Sequence, residues 1–193
     1  MSAANRRTRQ YAITSLKRLK QTDRETLFSN ILKATEHDKL TFDEVISNAQ
    51  AYIIAGSDTT STTMTYLVWA VCSHPSVHER LINELQKLPK AFSEEDTRRL
   101  IYLDQVIRET LRLYGPAPAL LPRVVPPGGA SICGFALDAG TTIGAQSYTL
   151  HRDPEIFPNP EEYDPGRWGE PTKAMKDAFM PFGRGSRGKF SCE

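Results

Sequence analysis

Proline divides this chain. Of its 13 prolines only Pro75 and Pro89 precede Pro116, and a proline inside a helix removes a backbone hydrogen bond and costs about 3 kcal/mol or more. Long helices are therefore confined to the first two-thirds, and the chain beyond Pro116 must form short strands, turns and irregular structure. Before Pro116 the apolar residues recur at helical spacing. The stretch Arg24 to Ala34 (RETLFSNILKA) reads as a short helix. Thr41 and Glu44 in TFDE form a capping box that opens a long helix running to about Cys72. At about 1.5 Å per residue that helix is roughly 45 Å long. Another helix begins at HPSVHERLINELQKL, where Pro75 suits a first turn, and LIYLDQVIRETLRLYGP is an amphipathic helix closed by Gly115 and Pro116.

After Pro116 the stretch LPRVVPPGGASICGFALDAGTTIGAQSYTLH carries short β-prone runs punctuated by Pro-Gly, Gly-Gly and Ala-Gly, which predicts small hairpins. HRDPEIFPNPEEYDPGRW is too rich in proline for a helix and reads as an ordered meander. The expected fold is mainly α with a small β part, and no repeat or low-complexity linker interrupts it. A formal net charge of +1 gives no electrostatic case for nucleic acid. Three cysteines without a pattern exclude a disulfide framework and suit a reducing compartment. The N-terminal MSAANRRTRQYAITSLKRLK has no apolar core for a secretory signal or an anchor. The most apolar stretch, Val45 to Val71, is broken by Asn48, Gln50, Asp58 and several threonines, so no membrane segment is expected.

Four short motifs carry chemistry, and each has two readings. AGSDTT (Ala55 to Thr60) either ends one element and caps the next, or lies within the long helix. In the second case a hydroxyl bonds back to the helix and an acid stands beside an alcohol. Glu109 and Arg112 in ETLR share a helical face, as a solvated pair contributing about 0.2–0.5 kcal/mol or as part of a buried cluster completed by Arg167 of PEEYDPGRW. FGRGSRG is either an ordinary glycine turn or a cradle for an anionic group. His74 and His78, four residues apart, could share a metal with nearby carboxylates, but at an exposed helix start without a third ligand they are expected to be solvated.

The order of these motifs resembles the cytochrome P450 monooxygenases. AGSDTT, ETLR, the proline meander ending in Arg167-Trp168 and FMPFGRGSR succeed one another as that family's signatures do, from about residue 24 to Arg187, in a style similar to the fungal, membrane-associated branch. The resemblance implies an incomplete α-rich P450 fold. It treats 1–193 as a single partial domain, with 1–23 weakly determined, 24–187 family-like and 188–193 a divergent tail. It implies haem as cofactor, an NAD(P)H-cytochrome reductase as electron donor, dioxygen, and a small lipophilic substrate into which oxygen is inserted. Asp58 and Thr59 match the acid–alcohol pair that delivers protons to dioxygen, with Ala55 and Gly56 making room. Glu109, Arg112 and Arg167 match the structural cluster. Arg123 and Arg187 match the cations on the haem propionates, while Phe182 and Gly185 match the aromatic and the glycine of the haem loop. Proteins of this kind sit on the cytosolic face of the endoplasmic reticulum. Lacking an anchor, this chain is expected to be cytoplasmic.

The pattern then departs from the family. Where the cysteine ligand is expected, two residues after Arg187, stands Lys189. A protonated ammonium has no lone pair for iron. Cys192 comes three residues too late and would require the loop to be rebuilt. The resemblance therefore describes a C-terminal half truncated at its haem loop, expected not to bind haem stably or to turn over. Codons GGT-AAG-TTY for Gly188 to Phe190 would contain GTAAGT, an intron start, and read-through is one origin of such a tail. A non-catalytic short isoform with a regulatory or interaction role is the alternative.

Overall fold

The computed structural model describes residues 3–19, 26–36 and 40–185. The chain divides into two compact units, Met1–Ser61 and Thr62–Glu193. The first contains helix α1 (Ala3–Leu19), helix α2 (Leu27–Glu36) and the first part of α3 (Phe42–Ser73). Ala12 and Leu16, one helical turn apart, join Leu32, Val45, Ile46 and Ala49 in its core. The basic N-terminal stretch thus supplies a helix that its weak periodicity does not announce. Helix α2 starts later than its apolar pattern suggests. Thr26 caps it reciprocally, its amide donating to Ser29 Oγ at 2.7 Å and its hydroxyl accepting from the Ser29 amide at 3.1 Å.

Helix α3 opens as the TFDE box predicts. The Thr41 amide donates to Glu44 Oε2 at 2.7 Å and the Glu44 amide donates to Thr41 Oγ1 at 3.3 Å. The Thr41 hydroxyl, and then its amide, hold the Glu44 carboxyl below its ordinary range. Among the described residues no helix is long and apolar enough to cross a membrane.

In the second unit α4 (Pro75–Leu85), α5 (Glu94–Arg98) and α6 (Ile101–Tyr114) come next. Pro75 opens α4, where its missing N–H costs nothing. Ser93 and Asp96 form a capping box for the short α5, an element too brief for a periodic signal. The Glu84 carboxylate receives the free amides of Tyr102 and Leu103 at 2.8 and 2.9 Å, so α4 caps the start of α6. Ala70, Val71, Val77, Leu81, Tyr102, Val106, Leu113 and Tyr163 form the main core.

Beyond α6 lie two two-stranded antiparallel sheets. Strand β1 (Leu120–Val124) pairs with β4 (Thr142–Gln146), and between them β2 (Ala130–Ile132) pairs with β3 (Phe135–Leu137) as a hairpin. The hairpin turns at Cys133-Gly134, both with positive φ (51° and 83°), a pair of signs suited to the right-handed twist of the strands. The Pro-Gly, Gly-Gly and Ala-Gly pairs lie outside it, so one hairpin is nested inside a longer-range pairing. Helix α7 (Ser147–Leu150), the meander, a 3-10 turn at Pro165–Trp168 and α8 (Lys173–Ala178) complete the unit. Phe157, Trp168, Met175 and Ala178 form a second, smaller core there.

Candidate functional site

Helix α6 carries two of its four charges inward and leaves Asp104 and Arg108 as an exposed pair. Glu109 and Arg112 are 0% and 1% exposed, and three residues of helical spacing put both on the face that meets the meander. Arg112 Nε donates to Glu109 Oε2 at 2.9 Å and Arg112 Nη2 to Oε1 at 2.8 Å. Arg167, placed by the 3-10 turn, donates from Nε to the same Oε1 at 2.9 Å. The Asp164 amide (3.1 Å) and the Trp168 indole N–H (2.9 Å) complete the set of donors around Glu109. One buried carboxylate thus faces two guanidinium groups, and only backbone dipoles can balance the second cation. They do so: Arg112 Nη1 donates to the carbonyls of His151 (2.6 Å) and Pro160 (2.7 Å), and Nη2 to that of Glu162 (3.1 Å). Arg167 reaches the carbonyls of Pro158 (2.9 Å), Asn159 (3.4 Å) and Glu162 (3.3 Å). Every N–H of Arg112 has an acceptor.

The sequence pattern carries no signal for three contributors to this region. Trp168 stands in it only as the end of the meander, although a buried indole N–H nearly always needs an acceptor. His151 stands only as its start. Tyr163 lies in the main core, its hydroxyl 2.9 Å from the Thr110 hydroxyl and donating to the Val106 carbonyl at 3.2 Å. Burial pushes the Tyr163 phenol up to about 12.

A separate open cavity of about 690 Å³ is lined by Leu121, Arg123, Phe135, Ile143, Met180 and Arg184, among others. Its walls are mostly apolar, with Arg123 on β1 and Arg184 supplying positive charge and Asp177, 3.8 Å from Arg184, supplying negative charge. Arg123 Nη1 donates to the Pro122 carbonyl at 2.8 Å and Arg184 Nη2 to that of Lys176 at 2.9 Å. Gly183 and Gly185 both have positive φ (76° and 72°), which turns the chain sharply around the exposed Phe182. Arg187, Lys189 and Cys192 lie outside the described residues.

In the first unit α3 runs uninterrupted through AGSDTT, so the reading in which Gly56 to Asp58 end one element does not hold. Thr59 Oγ1 donates to the Ala55 carbonyl at 2.7 Å and Ser61 Oγ to that of Asp58 at 3.2 Å. These are the back-bonds to the helix that small hydroxyl side chains make. Asp58 and Ser57 line a cavity of about 470 Å³ with Asn5, Thr8, Ile53 and Ile54. Ala55 and Gly56 are exposed, and a Cβ on Gly56 would meet nothing within 4 Å.

His74 is not the solvated residue expected. Its Nδ1 lies 2.7 Å from the Ala70 carbonyl and its ring rests 5.1 Å from that of Tyr163, while His78 is exposed. Among the described residues no group of three or more His, Cys, Asp or Glu side chains could hold a metal ion.

The cytochrome P450 family model matches residues 3–188. The cytochrome P450 monooxygenase orf2 of Aspergillus niger is 47% identical over 167 residues, covering 86% of this chain and 34% of that protein. The monooxygenase tazI of Aspergillus terreus is 50% identical over 149 residues, covering 77% and 30%. A solved zebrafish cytochrome P450 with progesterone aligns with a TM-score of 0.76 at 27% identity, over 94% of this chain and 44% of that one. The chain spans about a third of the length of these curated relatives. It belongs to the cytochrome P450 family.

Proposed function

We propose that this chain is a single partial domain of a fungal haem-dependent monooxygenase, and that as written it does not hold haem iron through a thiolate. The observation that carries the first part is the buried Glu109–Arg112–Arg167 cluster in the unit that also holds an apolar cavity flanked by Arg123 and Arg184. Apolar walls with two guanidinium groups against one carboxylate, that of Asp177, suit a flat apolar group bearing carboxylates, since arginine pairs with carboxylates through charge-assisted hydrogen bonds. Arg123 and Arg187 would receive the propionates, with Phe182 and Gly185 shaping the loop. Asp58 and Thr59 would handle protons, and Ala55 and Gly56 would leave them space. In the parent monooxygenase a reductase would supply electrons at the cytosolic face of the endoplasmic reticulum, for oxygen insertion into a small lipophilic substrate.

The donor set does not fit the group at its decisive position. The family's thiolate supplies electron density that favours O–O cleavage, and Lys189 stands in its place. The described cysteines, Cys72 at the end of α3 and Cys133 in the hairpin turn, are both exposed. Cys133 lines the same cavity as Arg123 and Arg184, but it belongs to the hairpin and not to the loop in which the family carries its ligand. No reaction step is therefore assigned to this polypeptide. The test is spectroscopic: the purified chain is mixed with haem, reduced and treated with carbon monoxide, alongside a Lys189→Cys variant as the matched control for the missing sulfur. The unsubstituted chain is expected to lack the Soret band of thiolate-ligated haem. Its presence would overturn the proposal.

A further inference from the structure

One buried polar side chain, His151, bridges the charged cluster and the glycine turn. It is 1% exposed. Its Nδ1 lies 3.1 Å from the Arg112 carbonyl, and its Nε2 lies 2.9 Å from the Met180 amide. The two contacts demand opposite chemistry: a carbonyl can only accept, whereas an amide N–H can only donate. Neutral imidazole satisfies both when the proton is on Nδ1 and the lone pair on Nε2. The bond to Arg112 is also reciprocated, because Arg112 Nη1 donates to the carbonyl of His151 at 2.6 Å. The ring stacks on Phe179 with centroids 5.5 Å apart and meets Phe157 edge-on at 6.3 Å, so it has little room to turn.

We propose that His151 is a positioning residue, a neutral Nδ1–H tautomer that clamps the segment entering the glycine turn to the C-terminal end of α6. Met180 is the hinge of that segment. Its amide is held by His151, and its carbonyl accepts from the Gly183 amide at 3.1 Å, which closes the first part of the turn. The clamp also finishes α6. The last carbonyls of a helix have no partner within it, and here the Arg112 carbonyl goes to His151 while the Leu113 carbonyl accepts from Arg152 Nη2 at 2.8 Å. The order Glu109, Arg112, His151, Met180, Gly183 is a continuous set of hydrogen bonds. It holds whether or not the loop beyond it binds haem.

Protonation reverses one end of the clamp, because an Nε2–H would confront the Met180 N–H instead of accepting from it. Burial holds the His151 ring down to about 4. The Arg112 carbonyl opposes that depression, the Arg112 and Arg152 guanidinium groups reinforce it, and the Ala178 carbonyl also opposes it. An unfolded histidine titrates near 6.5. The clamp's contribution to stability is thus complete above pH 6.5 and is lost as pH falls toward 4.

The tautomer can be read directly from the side-chain ¹⁵N shifts of the full chain, labelled at its 4 histidines and assigned by the signal missing in His151→Phe. The expected spectrum at pH 7 has a protonated Nδ1 and an unprotonated, hydrogen-bond-accepting Nε2. In His151→Phe, which keeps a ring between Phe157 and Phe179, the Met180 and Gly183 amides are expected to exchange at least tenfold faster, with the Leu81 amide in α4 unchanged. An Nε2–H tautomer, or an imidazolium at pH 7, would overturn the clamp. So would unchanged Met180 exchange in the phenylalanine variant, since a space-filling role alone predicts that result. If the variant does not fold, the tautomer in the unsubstituted protein decides.

Discussion

Arg112→Lys separates charge from geometry in the buried cluster. The substitution keeps a cation on a long stem and removes only the planar fork. In the native arrangement the guanidinium serves Glu109 twice and the carbonyls of His151, Pro160 and Glu162 once each. An ammonium has three donors where the guanidinium has five. At least two of the five bonds are therefore lost. The Glu109 carboxylate still has Arg167, the Asp164 amide and Trp168, and the Glu162 carbonyl still has Arg167. The loss accordingly falls most heavily on the carbonyls of His151 and Pro160.

Each buried group left unsatisfied costs about 1–3 kcal/mol, so Arg112→Lys should destabilise by about 2–6 kcal/mol. That is a large part of the roughly 5–15 kcal/mol available to a whole domain. Arg112→Met leaves Glu109 paired with Arg167 but removes every donor to the His151 and Pro160 carbonyls, and should cost about 2–6 kcal/mol on the same reckoning. Lysine is thus expected to be about as damaging as methionine. Urea unfolding monitored by far-UV circular dichroism and by tryptophan fluorescence measures both variants. A lysine variant within about 1 kcal/mol of the parent would show that charge alone holds the cluster, and the geometric argument would be refuted.

Two further outcomes concern the same unit. Trp168→Phe keeps the ring in the Phe157–Met175 core but removes the indole donor to Glu109, and should lower stability by about 1–3 kcal/mol. A variant of unchanged urea midpoint would show that this bond adds nothing. Tyr163 should make the fold sensitive to alkali. Its phenol titrates at about 12 in the folded chain because of burial, against about 10 unfolded. Its contribution is full below pH 10 and falls as pH rises from 10 to 12. Tyr163→Phe should flatten that part of the curve in thermal melts, leaving the slope from Tyr102 and Tyr114, which burial also raises. An unaltered slope would place Tyr163 outside the transition.

The range of each interaction decides whether the residues reveal it. Helices α3, α4 and α6 announce themselves because spacing, caps and the prolines beside them act within a few positions. The same logic recovers the Thr41–Glu44 box. Helix α1 escapes detection because its basic residues dilute the apolar stripe that Ala12 and Leu16 bury. Helices α5 and α8 are one or two turns long and have no period to detect. Strand pairing is legible as composition but not as register. Nothing local says that Val124 pairs with Thr142 while Ile132 turns back to Phe135. Glu109, Arg112 and Arg167 are visible as residues of opposite charge. Their acceptors are not, because backbone carbonyls leave no mark in a sequence.

The meander shows why such a cluster is buried despite its unbalanced charge. Pro158, Pro160 and Pro165 have no N–H, so this stretch has carbonyls that need donors and few donors of its own to form a ladder. A helix or strand cannot satisfy them, and a buried carbonyl left bare is costly. The donors come instead from side chains: those of Arg112 and Arg167 reach the carbonyls at Pro158, Asn159, Pro160 and Glu162. Seen from the guanidinium groups, those carbonyl dipoles offset the positive charge that Glu109 alone leaves over. Each partner makes the other tolerable in the interior. The two arginines supply to the meander the donors that its prolines withhold.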